Sequence, residues 1–146
     1  MNREFLLDVN VLVAMAWPKH RGHDRVQSWF ARHADAWWAT CPFTQAGFVR
    51  ILSNPAFSPT ALTPGHALEL LKTNLDHPKH RFWEEDIGFA AAVEPFAGKI
   101  VGHRQVSDAY LLGLVIHRNA ALATLDQSIV ALLPYKSAER QRIVVI

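Results

Sequence analysis

The sequence predicts a three-layer α/β/α sandwich with a central parallel sheet of about five strands. Five short apolar segments alternate with segments of helical periodicity, and this alternation is typical of a parallel sheet covered by helices on both faces. Of the 146 residues, 50% are hydrophobic and 19% are charged, which indicates a packed core and argues against a disordered chain. We therefore expect residues 1–146 to form a single domain.

The first half of the chain is expected to supply two strands and four helices. Residues 4–8 are short and apolar, as in a buried parallel strand, and residues 10–17 continue as a helix that Pro18 ends. Apolar side chains recur at helical spacing between residues 23 and 33. The remaining elements are a strand at 36–40, a helix from Pro42 to Asn54–Pro55, a loop at 56–62, and a helix that Thr63 caps and Pro64 opens.

The second half is expected to supply three strands and three helices. Residues 80–86 predict a third, more polar strand at a sheet edge, and Asp86 is expected to cap the short helix that follows. Residues 106–119 are apolar nearly all round, which predicts a buried helix. The chain then closes with a strand at 121–126, a short helix at 127–133 and a last strand at 142–146.

Three aspartates fall at one end of the predicted sheet. Asp8 ends the first strand, Asp126 ends the fourth strand, and Asp108 lies in the first turn of the buried helix between them in sequence. Sites in open parallel sheets form outside the carboxyl ends of the strands, near the point where strand order reverses. If the first and fourth strands are neighbours, Asp8 and Asp126 meet at that crevice.

Converging carboxylates indicate a metal site. Asp8 lies within the apolar stretch FLLDVNVLVAM, and an unpartnered buried carboxylate is costly. Three carboxylates side by side stay ionised only with a cation, and hard oxygen ligands select Mg²⁺ or Mn²⁺. Each acid alone also has a structural explanation: a helix N-cap for Asp8, the positive end of a helix for Asp108, and a turn for Asp126.

Two polar residues near the same strand ends are candidates for supporting these acids. Asn10 follows the first strand, and Thr124 lies near the end of the fourth. Each either orients a carboxylate or satisfies backbone groups, and we favour the orienting role. Arg50 and Arg104 are the candidates for contacts with phosphate, although solvated charge explains them nearly as well.

Four motifs, in this order and spacing, resemble PIN-domain nucleases, in particular the VapC-type toxins of bacterial toxin–antitoxin pairs. They are LLDVNVLVA, TQAGFVRIL, VSDAYLLGLV and LATLD, and the similarity extends over nearly the whole chain. The resemblance implies a PIN-like fold, metal-dependent endoribonuclease activity on RNA, and a small cognate antitoxin as partner. By position, Asp8, Asp108 and Asp126 match three of the acids of the family and are the expected catalytic and metal-binding residues.

The second acid of the family, usually Glu, is matched by Gln45 in TQAGF. Glutamine can hydrogen-bond a carboxylate or coordinate through its carbonyl, but it brings no charge and no general base. The expected chemistry is hydrolysis of a phosphodiester, in which Mg²⁺ held by Asp8 and Asp108 activates a water molecule. Asp126 is expected to position that water or to bind a second ion.

Two other functions are compatible with the same residues. The motif D-V-N-V-L is similar to the D-x-D-x-T/V motif of haloacid-dehalogenase-type phosphatases, but Asn10 replaces the second Asp, and matching Lys and acidic motifs are not evident. A catalytically degenerate RNA- or partner-binding protein is the non-enzymatic alternative, because Gln45 removes one acid. A test for metal-dependent cleavage separates this binder from a nuclease.

Composition narrows the setting of the protein. The chain has 15 Lys and Arg residues against 13 Asp and Glu residues, a mild balance that permits a polyanionic partner. One cysteine, Cys41, is typical of a reducing cytoplasm, and we expect neither a signal peptide nor a membrane span. The apolar helices at 10–17 and 43–53 are the candidate surfaces for the partner or for a homodimer.

Overall fold

A computed structural model describes residues 3–146; Met1 and Asn2, which the predicted domain includes, lie outside the described residues. The five strands form one parallel sheet, as predicted. They are β1 (Glu4–Leu7), β2 (Trp37–Thr40), β3 (His80–Phe82), β4 (Ala121–Thr124) and β5 (Ile143–Val145). Their order across the sheet is β3-β2-β1-β4-β5, which places β3 at an edge and makes β1 and β4 neighbours, as expected.

Six α-helices cover the sheet. They are α1 (Val9–Ala16), α2 (His23–Arg32), α3 (Pro42–Leu52), α4 (Pro64–Leu75), α5 (Phe89–Val93) and α6 (Val106–His117). Short 3₁₀ segments lie at Glu94–Lys99, His103–Gln105, Gln127–Leu132 and Ala138–Arg142. The segment at Gln127–Leu132 replaces the short α-helix predicted there. None of the helices in residues 3–146 combines the length and apolarity of a bilayer span.

Alternating side chains of the sheet build two hydrophobic layers. In β1, Leu6 packs with α5 and α6 on one face, whereas Phe5 and Leu7 pack with α1, α2, α3 and α4 on the other. Side chains on a strand alternate between the two faces, so one short apolar strand supplies both cores. The three layers predicted from the sequence are confirmed.

The edge of the sheet near β3 differs from the prediction. β3 ends at Phe82, four residues earlier than expected, and Asp86 does not cap α5. Gly88 stands at the N-cap of α5 and makes no side-chain capping bond, while Asp86 lies 3.5 Å from both Arg118 and His117. The predicted cap is therefore wrong, because the Arg118 guanidinium at the C-terminal end of α6 attracts the carboxylate instead.

Strand order reverses between β1 and β4. The chain leaves β1 toward β2 on one side, and it leaves β4 toward β5 on the other side. The two connections diverge and open a crevice outside the carboxyl ends of these two strands. Asp8 follows β1 directly, and Asp126 follows β4 after one intervening residue. The topology therefore places both acids at the switch point.

Candidate active site

Asp8 is buried where β1 passes into α1, and both of its carboxylate oxygens accept hydrogen bonds. The backbone N–H of Val9 donates to Oδ1 at 2.8 Å, and the hydroxyl of Thr124 donates to Oδ2 at 2.7 Å. The N–H of Asp8 itself donates to the carbonyl of Ala123 at 2.9 Å. Asp8 therefore caps α1, as its structural explanation requires, and is fixed to the end of the neighbouring strand β4.

Thr124 connects two of the acids. Its hydroxyl is fully buried, donates to Asp8, and accepts the N–H of Asp126 at 3.0 Å. The Oδ1 atom of Asp126 accepts the N–H of Ser128 at 2.9 Å, which caps the 3₁₀ segment after β4. One threonine thus sets the carboxylate of Asp8 and the backbone of Asp126 relative to each other. The arrangement matches the orienting role expected for Thr124.

Asp108 completes the acidic group from the first turn of α6. Burial, together with the negative charges of Asp8 and Asp126, raises the pKa of Asp108 from 3.8 to about 7. The pKa of Asp8 is also raised, mainly by burial and only slightly by Asp126, against the lowering effect of its bonds to Thr124 and Val9. The three acids thus lie near enough to repel one another, and their charges are not balanced by a nearby cation among residues 3–146.

A cleft of about 280 Å³ opens beside Asp8. One wall comes from α3, where Arg50 is exposed at the rim, and the other comes from α6. The cleft is lined by Asp8, Val9, Asn10, Phe43, Ala46, Gly47, Arg50, Ile51, Ser107 and Leu111. Such a cleft suits a phosphate group. The arginine can contact the phosphate, and the buried carboxylate can hold a cation that balances the phosphate charge.

The acids fit a magnesium-type ion that keeps part of its water shell. Among residues 3–146, no set of three or more His, Cys, Asp or Glu side chains is arranged to hold a metal ion by itself. Mg²⁺ is commonly bound through one or two carboxylates, with water and substrate phosphate as its other ligands. Burial and then repulsion from Asp8 and Asp126 raise the pKa of Asp108, and a divalent cation would relieve the repulsion.

Gln45 points away from these acids. Its Nε2 donates to the Thr40 hydroxyl at 2.9 Å, and the same hydroxyl lies 2.8 Å from Nε2 of His80. Thr40 ends β2, which neighbours β1 on the side opposite β4. Asp8 follows β1, so Thr40 and Asp8 lie at the ends of adjacent strands. The side chain expected to support a carboxylate therefore ties α3 to the end of β2, and among residues 3–146 it makes no hydrogen bond to an acid.

Replacing Gln45 by Ala is consequently expected to lower stability more than metal affinity. A neutral hydrogen bond contributes about 0.5–1.5 kcal/mol, so the free energy of unfolding should fall by about that amount. Calorimetric Mn²⁺ affinity should stay within about twofold of the parent protein. Gln45→Glu is the companion variant, since an ionised glutamate has a similar size but cannot donate to the Thr40 hydroxyl. A large loss of Mn²⁺ affinity in Gln45→Ala would show that position 45 reaches the metal.

The remaining predicted residues lie at different distances from the cleft. Asn10 lines it and is exposed, but its side chain makes no hydrogen bond within the described chain, so an orienting contact with Asp8 is not seen. Arg50 also lines the cleft, whereas Arg104 is exposed on the 3₁₀ segment before α6 and is not part of the lining.

The helices expected to form the partner surface use most of their apolar side chains internally. In α1, residues 11–14 are all buried, and α3 packs between α1 and α4. The apolar excess read from the sequence is largely explained by this packing. Partly exposed groups such as Met15 and Ile51 remain at the edges of these helices.

Several residues that line the cleft could not be identified as site residues from the sequence, and three of them are informative. Phe43 and Ser107 have no chemical signature of their own, although Ser107 adjoins Asp108. Gly47 matters through space: a Cβ there would lie 2.8 Å from Cγ2 of Val9. Its small size lets α3 approach α1 and form the cleft wall. A glycine inside a helical pattern is the one signal that points to such a close approach.

Comparisons with known proteins agree with this architecture. Residues 5–132 match the PIN domain family. Ribonuclease VapC38 of Mycobacterium tuberculosis (strain ATCC 25618 / H37Rv) is 42% identical over 127 residues, covering 87% of this chain and 88% of that relative. Ribonuclease VapC44 of Mycobacterium tuberculosis (strain CDC 1551 / Oshkosh) is 35% identical over 138 residues, covering 94% and 96%.

A solved structure has the same fold. The crystal structure of VapBC2 from Rickettsia felis, bound to a DNA fragment from their promoter, superposes with a TM-score of 0.62. The match covers 98% of this chain and 97% of that chain at 12% identity. At this identity the similarity supports the fold alone.

Proposed function

This chain belongs to the PIN-domain family and, within it, to the VapC-type ribonucleases, and we propose that it is a metal-dependent endoribonuclease that serves as the toxin of a toxin–antitoxin pair. Two observations support the proposal: Asp8 and Asp126 follow the two strands at the switch point of the sheet and are near enough to help raise the pKa of Asp108, and the chain is 42% identical to a ribonuclease. A small antitoxin is the proposed protein partner, and RNA is the proposed substrate.

In the proposed reaction, Asp8, Asp108 and Asp126 would hold Mg²⁺ or Mn²⁺, and the bound ion would supply an acidified water and positive charge beside the phosphate. Asp8 is fixed by Thr124 and Val9, so its carboxylate enters the reaction already oriented. Asp126 uses Oδ1 to cap the 3₁₀ segment, which leaves Oδ2 for a ligand. Arg50, at the rim of the cleft, is the proposed contact for the RNA backbone.

The charge of Asp108 depends on the contents of the site. Its pKa of about 7 means that its carboxyl oxygen holds a proton for much of the time near neutral pH. Positive charge placed among the three acids removes the repulsion that stabilises that proton. The ionised form of Asp108 is therefore coupled to occupancy of the site, and the cleft becomes fully anionic only when positive charge is present to balance it.

Removal of divalent cations is expected to stop cleavage. Purified protein should cut a mixed-sequence single-stranded RNA in Mg²⁺ or Mn²⁺, lose activity in excess EDTA, and recover it when either ion is restored. Asp108→Asn, treated in parallel, should remain inactive throughout and controls for contaminating nucleases. Cleavage that persists in EDTA would contradict a metal-dependent mechanism. Binding of RNA without cleavage in every condition would identify the chain as a degenerate binder.

A further inference from the structure

A row of three aromatic rings runs from the acidic cleft to the surface. Phe43 lines the cleft, and its ring centre lies 5.7 Å from that of Tyr110. Tyr110 in turn stacks on Phe89, with ring centres 5.8 Å apart and planes inclined by 20°. We call these three residues the aromatic row. Its inner end belongs to the cleft, and its outer end, Phe89, stands at the start of α5.

The middle of the row is held firmly. Tyr110 is only 5% exposed, and burial together with the charge of Glu85 raises its pKa well above the usual range. Tyr110 is therefore a neutral phenol at every physiological pH. Glu85 also accepts the backbone N–H of Phe43 at 2.6 Å, so one carboxylate lies against both inner rings. The ring directly under Phe89 is therefore buried and uncharged.

The helix that carries Phe89 is equally constrained. At Gly113 in α6, a Cβ would lie 2.1 Å from the carbonyl oxygen of Ala92 in α5. The backbone of α5 at Ala92 therefore packs directly against Gly113 of α6. This close contact fixes α5 against α6 and sets Phe89 over Tyr110. Despite this support, Phe89 is 52% exposed. An aromatic ring that is held in place from below yet open to solvent above offers a ready stacking surface.

We propose that Phe89 is a base-binding subsite, on which an unpaired base of the RNA substrate stacks while its phosphate backbone passes through the acidic cleft. This inference rests on the proposed ribonuclease function and adds to it the element that holds the strand. Single-stranded RNA is recognised chiefly by stacking of splayed bases on aromatic side chains, and such stacking tolerates any base. The aromatic row connects that surface directly to the cleft that contains Asp8 and Arg50.

The charges around the cleft favour an RNA strand as the occupant. A peptide that covered Phe89 would need apolar contact, whereas the cleft at the inner end of the row is lined by one carboxylate, Asp8, which a cation can balance, and by Arg50, which can contact phosphate. Both groups are suited to a phosphodiester backbone. A base on Phe89 and a phosphate at the acids belong to the same strand, so one ligand satisfies both ends of the row.

Kinetics on a short single-stranded RNA test the proposal. Phe89→Ala should raise KM about tenfold with little change in kcat, because loss of one stacked base weakens binding without altering the acids. Phe89→Trp should restore the parent KM, which a purely structural role would not predict. Phe82→Ala is the matched control: Phe82 is similarly exposed, at 55%, but lies on the edge strand and outside the row. Thermal midpoints of all variants show whether each is folded.

A binding measurement separates failure of this inference from failure of the proposed function. RNA carrying 2-aminopurine should lose fluorescence when it binds to the Asp108→Asn protein in Mg²⁺. The double variant, which carries Phe89→Ala as well as Asp108→Asn, should show little of that loss. Unchanged KM and unchanged quenching in Phe89→Ala would overturn the subsite even if RNA is cut. Absence of cleavage by the parent protein would count against the ribonuclease and leave the quenching result to decide whether a base binds. Weaker antitoxin binding with unaltered RNA kinetics would assign Phe89 to a protein partner and overturn the proposal.

Discussion

Asp108→Asn is expected to lower RNA cleavage by roughly a hundredfold or more and, at the same time, to stabilise the metal-free protein at alkaline pH. The activity should fall because the site loses one of three charges that hold a cation and act on the reacting groups. The stability should rise because the parent carboxyl is repelled by Asp8 and Asp126 and is removed from water. An amide of the same shape avoids both penalties.

The sign of the pH dependence follows from the raised pKa. In the folded, metal-free protein the pKa of Asp108 is about 7, against 3.8 for an unperturbed aspartate. The folded state therefore holds a proton that the unfolded state releases, so stability from this group is complete below about pH 4 and declines as the pH rises to about 7. Thermal midpoints of parent and Asp108→Asn in EDTA should coincide at low pH and diverge above neutrality. Equal midpoints at every pH would contradict the repulsion.

Asp8→Asn should also abolish cleavage, but with a loss of stability. Asparagine can still accept the N–H of Val9, yet its amide group would face the Thr124 hydroxyl, which now donates to the carboxylate. If that hydroxyl accepts from the amide as well as from Asp126, its own hydrogen is left without an acceptor in a buried site. Leaving a buried polar group unpaired costs about 1–3 kcal/mol. Burial also raises the pKa of Asp8, so the amide recovers part of this cost by removing a buried charge. The two variants are thus expected to give the same loss of activity but different changes in stability.

Gly113→Ala is expected to destabilise the fold by about 1–3 kcal/mol or more. The added Cβ would lie 2.1 Å from the oxygen, 2.7 Å from the carbonyl carbon and 2.9 Å from the Cβ of Ala92. Because two of these atoms belong to the backbone, no side-chain rotation can relieve the clash, and α5 must move away from α6. Urea unfolding measures the change, with an unaltered m-value showing that cooperativity is kept.

Gly65→Ala provides the matched control for this substitution. Gly65 also lies in a helix, α4, but a Cβ there would meet nothing within 4 Å. Alanine is favoured over glycine in a helix by up to about 1 kcal/mol, so the control should be neutral or stabilising. If both variants lose stability equally, the contact between α5 and α6 does not limit the size of residue 113.

The alternation of strands and helices could be predicted because each element carries its own pattern. Short apolar strands and the helix opened by Pro64 follow local rules of periodicity and capping, and the structure confirms them. The adjacency of β1 and β4 was a condition in the sequence argument, and the topology meets it. The positions of Asp8 and Asp126 at one crevice follow from that adjacency.

The partners of two polar side chains could not be predicted from the local sequence pattern. Asp86 was expected to cap α5 from its position in sequence, but Arg118, 32 positions later, lies 3.5 Å from it. Gln45 has the spacing of a site residue, and within residues 3–146 its Nε2 donates to the Thr40 hydroxyl. Local patterns do not report which of several polar partners is nearest in three dimensions, so neither outcome could be read from the chain.

The two hydrogen bonds that the Asp8 carboxylate accepts have a consequence for how the sequences of related proteins diverge. A lineage that is relieved of the need to cut RNA is expected to be free to change Asp108, because burial and repulsion make its charge costly to the folded state. It is not equally free to change Asp8, which Val9 and Thr124 require for capping α1 and satisfying β4. Inactive relatives should therefore retain Asp8 long after catalysis has gone, and the first aspartate alone is a poor marker of a working nuclease.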